Sequence, residues 1–410
     1  MKVNISFMYK KFVRIGLLLI LMLPLSFSGW TQAATALTEE QKLVSTAWRL
    51  VNRTYLDNTF NHQNWASVRE KVLKQPLNDQ EAAYEAIQQM LALLDDPFTR
   101  FLKPEQYRSL QVTTSGELTG VGLQIALNPQ TFQLEVIAPL AGSPAEKAGI
   151  RASDRILQIN GISTEKLSLD EAAARMRGPL GSRVSLVVER DGEESTEIQL
   201  VRASIALNPV VAELRSIGSE GTIGYIRLSQ FNANATAELA HAITRLEEQG
   251  ASAYILDLRN NPGGLLQAGI EIARLWLEKG TVVYTVNRQG IQGSFEALGP
   301  ALTPDPLVVL VNKGTASASE ILAGALQDNG RAQVVGETTF GKGLIQSLFD
   351  LPGGSGLAVT VAKYETPNHR DINKLGIKPD RVSIEPVTRD SVGTQSDLQY
   401  QAAVELIRNS

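Results

Sequence analysis

A change from strand to helix lies within the segment Val311-Asn312-Lys313-Gly314-Thr315-Ala316-Ser317-Ala318-Ser319-Glu320-Ile321. The apolar run that ends at Val311 is typical of a strand buried on both faces, and helical spacing of apolar residues follows over Ser317–Gln327. Ser317 is therefore predicted at a helix N-terminus, where free N–H groups and the positive end of the helix dipole gather. This position suits a nucleophile whose attack creates an oxyanion, although a serine there, taken alone, is more often an ordinary N-cap.

A second unusual segment follows 25 residues later, where Lys342 stands between Gly341 and Gly343. Glycine weakens any regular element around it, so this lysine is not typical of a solvated helix or strand face. A lysine acts as a general base only when it is neutral, and burial lowers its pKa from the reference value of about 10.4. We expect an apolar pocket around Phe340 and Leu344 to have this effect.

A glycine-rich turn, Asn260-Asn261-Pro262-Gly263-Gly264, follows another apolar strand that ends at Asp257. The backbone N–H groups of such a turn are accessible, because glycine has no side chain to shield them. The N–H of Gly263 or Gly264, together with that of Ala318, is predicted to form an oxyanion hole. The alternative interpretation is an ordinary connection between a strand and a helix.

Residues 206–386 alternate between apolar strands and helices, which is typical of an α/β fold. The predicted strands are Thr222–Ile226, Ala253–Asp257, Thr281–Val286, Leu307–Val311, Val334–Val335 and Leu357–Ala362. The predicted helices are Ala235–Gln249, Gly264–Glu278, Ser317–Gln327 and, near the end of the chain, Leu398–Arg408.

Residues 111–205 contain shorter β-type runs separated by turn signals, with one helix after the predicted capping box of Ser168 and Glu171. The runs are Val121–Leu127, Gln133–Ala138, Arg155–Asn160, Val184–Glu189 and Thr196–Val201. The segment resembles a PDZ domain in the order of Gly120-Val121-Gly122-Leu123, Gly142-Ser143-Pro144-Ala145, Asp154-Arg155-Ile156 and Ile159-Asn160-Gly161. PDZ domains bind an extended peptide as an added strand. The resemblance implies that Gly120, Val121, Gly122 and Leu123 offer backbone N–H groups to the terminal carboxylate of the peptide; a purely structural turn is the alternative.

The first part of the chain is predicted to comprise an export signal, residues 1–36, and a helical segment, residues 37–110. Basic residues precede the apolar run Ile15–Leu23, and Ala34-Thr35-Ala36 is a small-residue cleavage pattern; an uncleaved anchor is the alternative. Removing this segment deletes four basic residues and no acidic ones, so the net charge changes from −4 to −8. Helical spacing then covers Glu39–Tyr55 and Asp79–Leu94.

Composition narrows the class of protein. Net negative charge and the lack of a basic run after residue 15 argue against nucleic-acid binding. The chain has no cysteine, and its three histidines, His62, His241 and His369, are not spaced as metal ligands. We therefore expect neither a disulfide nor a thiol nucleophile, and no metal or organic cofactor.

Five motifs together resemble the C-terminal processing peptidases, or tail-specific proteases. They are Asp95-Asp96-Pro97-Phe98-Thr99-Arg100-Phe101, the PDZ segment, Asn261-Pro262-Gly263-Gly264, Thr315-Ala316-Ser317-Ala318-Ser319-Glu320 and Phe340-Gly341-Lys342-Gly343. The resemblance implies a multidomain α+β and α/β fold: a helical domain (37–110), a PDZ domain (111–205) and a crotonase-like layered serine protease core (206–410). It implies Ser317 as nucleophile and Lys342 as general base of an acyl-enzyme mechanism.

The third member of the catalytic group is predicted differently by the resemblance and by the geometry. The resemblance suggests Asp328 as a relay residue, but a straight helix would place it about 16 Å from Ser317, which favours a structural role. Gln346 is the better candidate for orienting Lys342, because its amide oxygen can accept from an ammonium. Glu320, one helical turn after Ser317, is expected either to stabilise the charged form of Lys342 or simply to complement the helix start.

The resemblance is closest to the plant and cyanobacterial branch of this family, whose members trim the photosystem II reaction-centre precursor in the lumen. It implies export to a thylakoid lumen or periplasm and a protein substrate with a free C-terminal tail. The alternatives are a noncatalytic PDZ scaffold and a general periplasmic quality-control protease. A Ser-His-Asp esterase is disfavoured because Ser317 is not in a G-x-S-x-G elbow. Neither composition nor motifs indicate the oligomeric state.

Overall fold

The structure, a computed structural model, describes residues 37–128, 131–140, 142–217, 221–384, 392–394 and 396–409. The predicted export signal lies outside these residues. Within them, no helix has the length and hydrophobicity that crossing a bilayer requires. The helices are α1 (Glu39–Thr54), α2 (Trp65–Leu73), α3 (Gln80–Ala92), α4 (Pro104–Ser115), α5 (Pro144–Lys147), α6 (Leu169–Met176), α7 (Ala235–Glu248), α8 (Leu266–Trp276), α9 (Ala318–Asp328) and α10 (Leu398–Arg408).

The strands form three sheets of five or six strands and one isolated pair. They are β1 (Arg100–Leu102), β2 (Glu117–Gly120), β3 (Leu123–Leu127), β4 (Leu134–Pro139), β5 (Arg155–Ile159), β6 (Ile162–Ser163), β7 (Arg183–Glu189), β8 (Thr196–Val201), β9 (Ala203–Ala206), β10 (Val210–Ser216), β11 (Thr222–Leu228), β12 (Ala253–Asp257), β13 (Lys279–Asn287), β14 (Gly290–Leu298), β15 (Leu307–Val311), β16 (Ala332–Gly336), β17 (Leu344–Asp350), β18 (Gly356–Glu365) and β19 (Arg381–Val382).

The first large sheet has the order β10-β11-β12-β15-β16-β19, and all its pairings except β10 with β11 are parallel. Every residue of β12 and β15 is buried, which explains why both read as unbroken apolar runs. Alternate side chains enter two different cores: Leu256 and Val309 lie with α7, α8 and α9, whereas Ile255 and Leu310 lie with α10. The predicted α/β layering is confirmed.

The second large sheet is antiparallel, and the sequence did not distinguish it from the first. Its order is β1-β18-β13-β14, with β17 also paired to β18. The runs Thr281–Val286 and Leu357–Ala362 are strands as predicted, but they belong here and not to the parallel layers. An apolar run in the sequence indicates that a strand is buried, but it does not indicate which other strand it pairs with. The partner β14 was missed because its glycines and exposed positions give no strand signal.

The N-terminal helices pack on this antiparallel sheet instead of forming a core of their own. Side chains of α1, α2 and α3, including Ile87 and Met90, share one apolar cluster with Leu357 and Val359 of β18. Strand β1 directly follows these helices and pairs with β18. The segment 37–110 therefore forms one body with part of the layered core, and β1 positions the residues around Arg100 beside it.

The resemblance of residues 111–205 to a PDZ domain is matched by a sheet of order β3-β4-β5-β7-β8, with β6 paired to β5. The capping box of Ser168 and Glu171 at the start of α6 is confirmed. The predicted strand Val121–Leu127 is wrong at its start, because Val121 and Gly122 form a loop between β2 and β3. The positive φ of Gly122, +78°, is incompatible with a continuous strand.

The shared core predicts that a cavity in α3 weakens the antiparallel sheet. Ile87 is fully buried in that cluster, so Ile87→Ala is expected to lower the free energy of unfolding by about 2–5 kcal/mol. It should also accelerate hydrogen exchange of the β18 amides. Glu85→Ala, an exposed change on the same helix, serves as the control and should alter stability by less than about 0.5 kcal/mol. Unchanged protection of β18 in Ile87→Ala would contradict a shared core.

Candidate active site

Ser317 is the N-cap residue of α9, so its predicted position at a helix N-terminus is confirmed. Its φ of 59° and ψ of −120° lie in a region that residues with a Cβ rarely occupy. Such a conformation costs about 1–3 kcal/mol and persists only where the surroundings impose it. The fully buried strand β15 before Ser317 and the buried helix α9 after it provide this frame.

Glu320 links the Ser317 segment to the Lys342 segment and is completely buried. One of its carboxylate oxygens accepts from the backbone N–H of Ser317 at 2.8 Å and from that of Lys342 at 2.9 Å. The other oxygen accepts from the hydroxyl of Thr339 at 2.6 Å and from the N–H of Gly341 at 2.7 Å. The carboxylate thus binds the two backbones and not the Lys342 ammonium, although its charge still raises the pKa of Lys342.

The surroundings of the Lys342 side chain act on its pKa in both directions. Its Nζ lies over the ring of Phe98, 5.0 Å from the centroid, a contact that by itself favours the ammonium. Burial lowers the pKa of Lys342 below its usual value, and the guanidinium of Arg100 lowers it further, whereas Glu320 and Asp96 act in the opposite direction. The expected contribution of Phe340 is wrong, because its side chain is 59% exposed; Leu344 does line the site.

The three backbone amides predicted for an oxyanion hole differ in availability. The Gly263 N–H donates to Asn261 Oδ1 at 2.9 Å and is therefore occupied. Within the described residues, the N–H groups of Gly264 and Ala318 have no acceptor. A Cβ on Gly263 would lie 2.8 Å from Ala318 N, so only glycine allows the turn to touch the start of α9. The structure thus leaves Gly264 and Ala318 as the free amides beside Ser317.

Two further polar side chains, Gln346 and Tyr364, line the same cleft as Ser317 and Lys342. The amide nitrogen of Gln346 donates to Thr360 Oγ1 at 3.3 Å. The buried hydroxyl of Tyr364 lies within hydrogen-bond distance of two carbonyl oxygens, that of Ser317 at 3.1 Å and that of Lys342, which share its single proton. Tyr364 was not identified from the sequence, since it lies in a strand of ordinary composition with no motif around it.

Asp328 is not brought to the cleft. It is the last residue of α9, at the end opposite to Ser317. Its carboxylate accepts from the backbone N–H of Asn368 at 3.0 Å and pairs with Arg370. The length of α9 separates Asp328 from Ser317, and the contacts of Asp328 anchor the loop around Asn368, so these contacts give it a structural role.

The cleft has a volume of about 620 Å³. Its walls are mostly apolar, and its charged residues are Lys342 and Arg100. The apolar lining consists of Pro97, Phe98, Leu110, Pro262, Leu265, Leu266, Ala318, Ile321, Leu344, Ile345, Leu348 and Ala358. Such a cleft can accept an extended segment with apolar side chains. In the parts of the chain that the structure describes, no three His, Asp or Glu side chains converge as a metal site would require.

The Gly120–Leu123 segment lies apart from the cleft, between β2 and β3. Its carbonyl groups are used internally: Val121 O accepts from Ala145 N at 2.9 Å, and Gly122 O accepts from Leu140 N at 2.9 Å. The N–H groups of Val121 and Gly122 have no acceptor among the described residues. The backbone of Val121 and Gly122, which are buried residues, therefore has two donors without acceptors, while both of its carbonyl groups are used.

The contacts of Glu320 predict a large loss of stability when its charge is removed. A glutamine has one accepting oxygen, so Glu320→Gln leaves two of the four donors without a partner and should lower the free energy of unfolding by about 2–5 kcal/mol. Urea unfolding followed by circular dichroism measures this. The control is Glu337→Gln, whose carboxylate faces the 81% exposed Lys313 at 3.5 Å and should contribute less than about 1 kcal/mol. Equal midpoints for Glu320→Gln and wild type would contradict the linking role.

Comparison with known proteins agrees with this geometry. The sequence profile of peptidase family S41 matches residues 222–383, and that of the PDZ domain matches residues 135–190. The carboxyl-terminal-processing protease of Synechocystis sp. is 63% identical over 390 residues, which cover 95% of this chain and 91% of that protein. The chloroplastic carboxyl-terminal-processing peptidase 2 of Arabidopsis thaliana is 48% identical over 355 residues, 84% of this chain and 69% of that protein.

A solved structure gives the same result. The photosystem II D1 C-terminal processing protease superposes with a TM-score of 0.58 at 42% sequence identity, over 89% of this chain and 98% of the other. The same family is therefore indicated by two sequence profiles, by relatives that match over most of their length and by one similar structure. The chain belongs to the carboxyl-terminal-processing proteases of peptidase family S41, which are serine-type peptidases.

Proposed function

We propose that Ser317 is the nucleophile and Lys342 the general base of this protease. The observation that carries the proposal is that two buried side chains, Glu320 and Tyr364, each bind the backbone at both residues. Such double anchoring holds the two catalytic side chains at one cleft. Within the described chain no hydrogen bond joins Ser317 Oγ to Lys342 Nζ, which is common before a substrate is bound.

The mechanism follows from the positions of these groups. Neutral Lys342 accepts the proton of Ser317 Oγ as that oxygen attacks the scissile carbonyl. The N–H groups of Gly264 and Ala318 donate to the oxyanion that develops. The Lys342 ammonium then protonates the leaving amine, and water releases the acyl group by the same steps in reverse order. Gln346, whose oxygen has no donor among the described residues, is placed to orient Lys342.

The substrate we propose is a protein with a free, unstructured C-terminal tail. The free N–H groups of Val121 and Gly122 support capture of the terminal carboxylate by the PDZ segment, and the apolar cleft supports an extended chain. Because a similar structure is that of a photosystem II D1 C-terminal processing protease, we propose the photosystem II reaction-centre precursor as the natural substrate. Export to a thylakoid lumen or periplasm is the matching location.

The domain boundaries at residues 36, 110 and 205 belong to the same proposal.

The alternative function is that of a PDZ scaffold with no catalytic activity. The retained pair of Ser317 and Lys342 in a formed cleft favours the enzyme, because nothing in peptide binding alone requires a buried lysine of lowered pKa.

Proteolysis of an unfolded protein with an apolar C-terminal tail tests the proposed mechanism. Wild type should cleave it in the presence of EDTA, while Ser317→Ala and Lys342→Ala should each lose at least about 10⁴-fold in kcat. Circular dichroism must show that both variants are folded. Full activity of folded Lys342→Ala would disprove the role of the lysine, and activity of Ser317→Ala would disprove the proposed function altogether.

The pH dependence of cleavage tests the role assigned to Arg100. Activity rises with pH as Lys342 loses its proton. Arg100 lowers the pKa of Lys342, so Arg100→Gln raises that pKa and should shift the rising limb of kcat to higher pH. Arg108→Gln, which removes an exposed cation from the neighbouring helix α4, is the control. A limb that stays in place, or moves to lower pH, would show that Arg100 does not act on the base.

A further inference from the structure

A buried ion network joins the C-terminal segment of the chain to the turn that carries Gly264. Arg259 lies two residues after the end of β12 and five residues before Gly264. Its side chain is 3% exposed, and it pairs with Asp257, 1% exposed, and with Asp397, which is fully buried. Asp397 is 138 residues away in sequence and directly precedes α10.

All donors of the Arg259 guanidinium are used in this network. Nε and Nη2 donate to the carboxylate of Asp257 at 2.9 and 2.6 Å. Nη1 and Nη2 donate to the carboxylate of Asp397 at 2.9 and 2.8 Å. The second donor of Nη1 reaches Gln399 Oε1 at 3.0 Å. Because the guanidinium is planar, acceptors on both sides fix its position and its orientation.

Asp397 is the member of the network that the C-terminal segment contributes. Burial alone would raise its pKa, but hydrogen bonds from Arg259 and from the Gly393 N–H lower the pKa of Asp397 below its usual value. The carboxylate is therefore charged at neutral pH. It also accepts from Tyr400 N at 3.1 Å and so caps α10. Thus the same side chain holds Arg259 and the start of the C-terminal helix.

Asn261 transmits the position of Arg259 to the active site. It is two residues further along, and its Oδ1 accepts from Gly263 N at 2.9 Å. Its carbonyl oxygen accepts from Ala316 N and from Ser319 Oγ, both at 3.0 Å. The backbone between Arg259 and Gly264 is thereby fastened to the residues on either side of Ser317. A shift of Arg259 is therefore passed along this turn to the Gly264 amide and strains its contacts with the residues that flank Ser317.

Asp257 alone cannot replace the contribution of Asp397. Asp257 is two residues before Arg259 in the chain, and its carboxylate accepts hydrogen bonds from Nε and from one N–H of Nη2. The remaining donors, which face Asp397 and Gln399, would be buried without acceptors if the C-terminal segment were displaced. A buried guanidinium with unused donors moves toward water or other acceptors, because leaving them unpaired is unfavourable.

We propose that Asp397 is a positioning residue of the protease: through Arg259, it makes the C-terminal segment part of the structure that aligns the Gly264 amide with Ser317. This inference rests on the proposed roles of Ser317 and Gly264. It extends the structure that aligns the site to Asp397, at the start of α10, which does not itself line the cleft.

Steady-state kinetics of Asp397→Asn test the proposal on the full chain. We expect kcat to fall roughly 10- to 100-fold with KM within about twofold of wild type, since an amide that is displaced stabilises the oxyanion less well. The inhibition constant of a peptide aldehyde, which forms a tetrahedral adduct with the serine, should rise by a similar factor. Binding of a tail peptide to the Ser317→Ala, Asp397→Asn double variant should equal its binding to Ser317→Ala. Wild-type kcat in Asp397→Asn, or a loss confined to KM, overturns the proposal.

The matched control is Glu405→Gln on the same helix. Its carboxylate pairs with Arg381 at 2.6 Å, and the two side chains are 59% and 39% exposed, so the pair is solvated and kcat should not change. An equal loss of kcat in Glu405→Gln would mean that any disturbance of α10 has this effect, which contradicts a specific role for Asp397.

A second variant keeps the test valid if Asp397→Asn fails to fold. Gln399→Met removes one acceptor from Arg259 without changing charge, and it should reduce kcat roughly 3- to 10-fold. Wild-type kcat in folded Gln399→Met then overturns the proposal. Ser317→Ala, assayed in parallel, separates failure of the positioning role from failure of the proposed function. If Ser317→Ala is inactive while Asp397→Asn is fully active, only the positioning role fails. If Ser317→Ala is active, the proposed function fails as well.

Discussion

The constraint on which the site depends is that one buried carboxylate, Glu320, accepts four hydrogen bonds from two segments of the chain. A charged acceptor in a dry environment binds N–H and O–H donors strongly, and each unmet bond is unfavourable. Ser317 and Lys342 are therefore fixed relative to each other by their backbones. Their side chains remain free for chemistry, because neither is needed to hold the structure together.

This arrangement explains the glycines around Lys342. A Cβ on Gly341, at a φ of 86°, would lie 2.9 Å from the backbone carbon of Lys374, and a Cβ on Gly343 would lie 2.7 Å from Asn373 N. The segment can reach the Glu320 carboxylate only by running close against residues 373–375. The sequence indicated that a lysine between glycines is unusual for a surface; the structure gives the reason, which is the close approach of two backbones.

Much of this could be predicted from local sequence. Ser317 at a helix start, the continuous apolar strands β12 and β15, and the cap of α6 each depend on neighbouring residues, and such signals are readable in one segment. Tyr364 and Asp397 could not be found in this way, and Phe98 lay in a motif whose contact with Lys342 the sequence did not reveal. Each acts through a partner far away in the chain, and a phenylalanine, a tyrosine or an aspartate at an element end has no pattern of its own that announces it.

The distance in sequence between Phe98 and Lys342 also has a consequence for the newly made chain. Burial and the guanidinium of Arg100 lower the pKa of Lys342; Arg100 lies in β1, near the beginning of the chain, and Phe98, whose ring lies under the Lys342 Nζ, is two residues before it. In an unfolded polypeptide this lysine titrates normally and carries a proton at neutral pH. On the proposed role of Lys342 as general base, hydrolysis therefore requires the folded chain, and an unfolded copy lacks the neutral lysine that activates the serine.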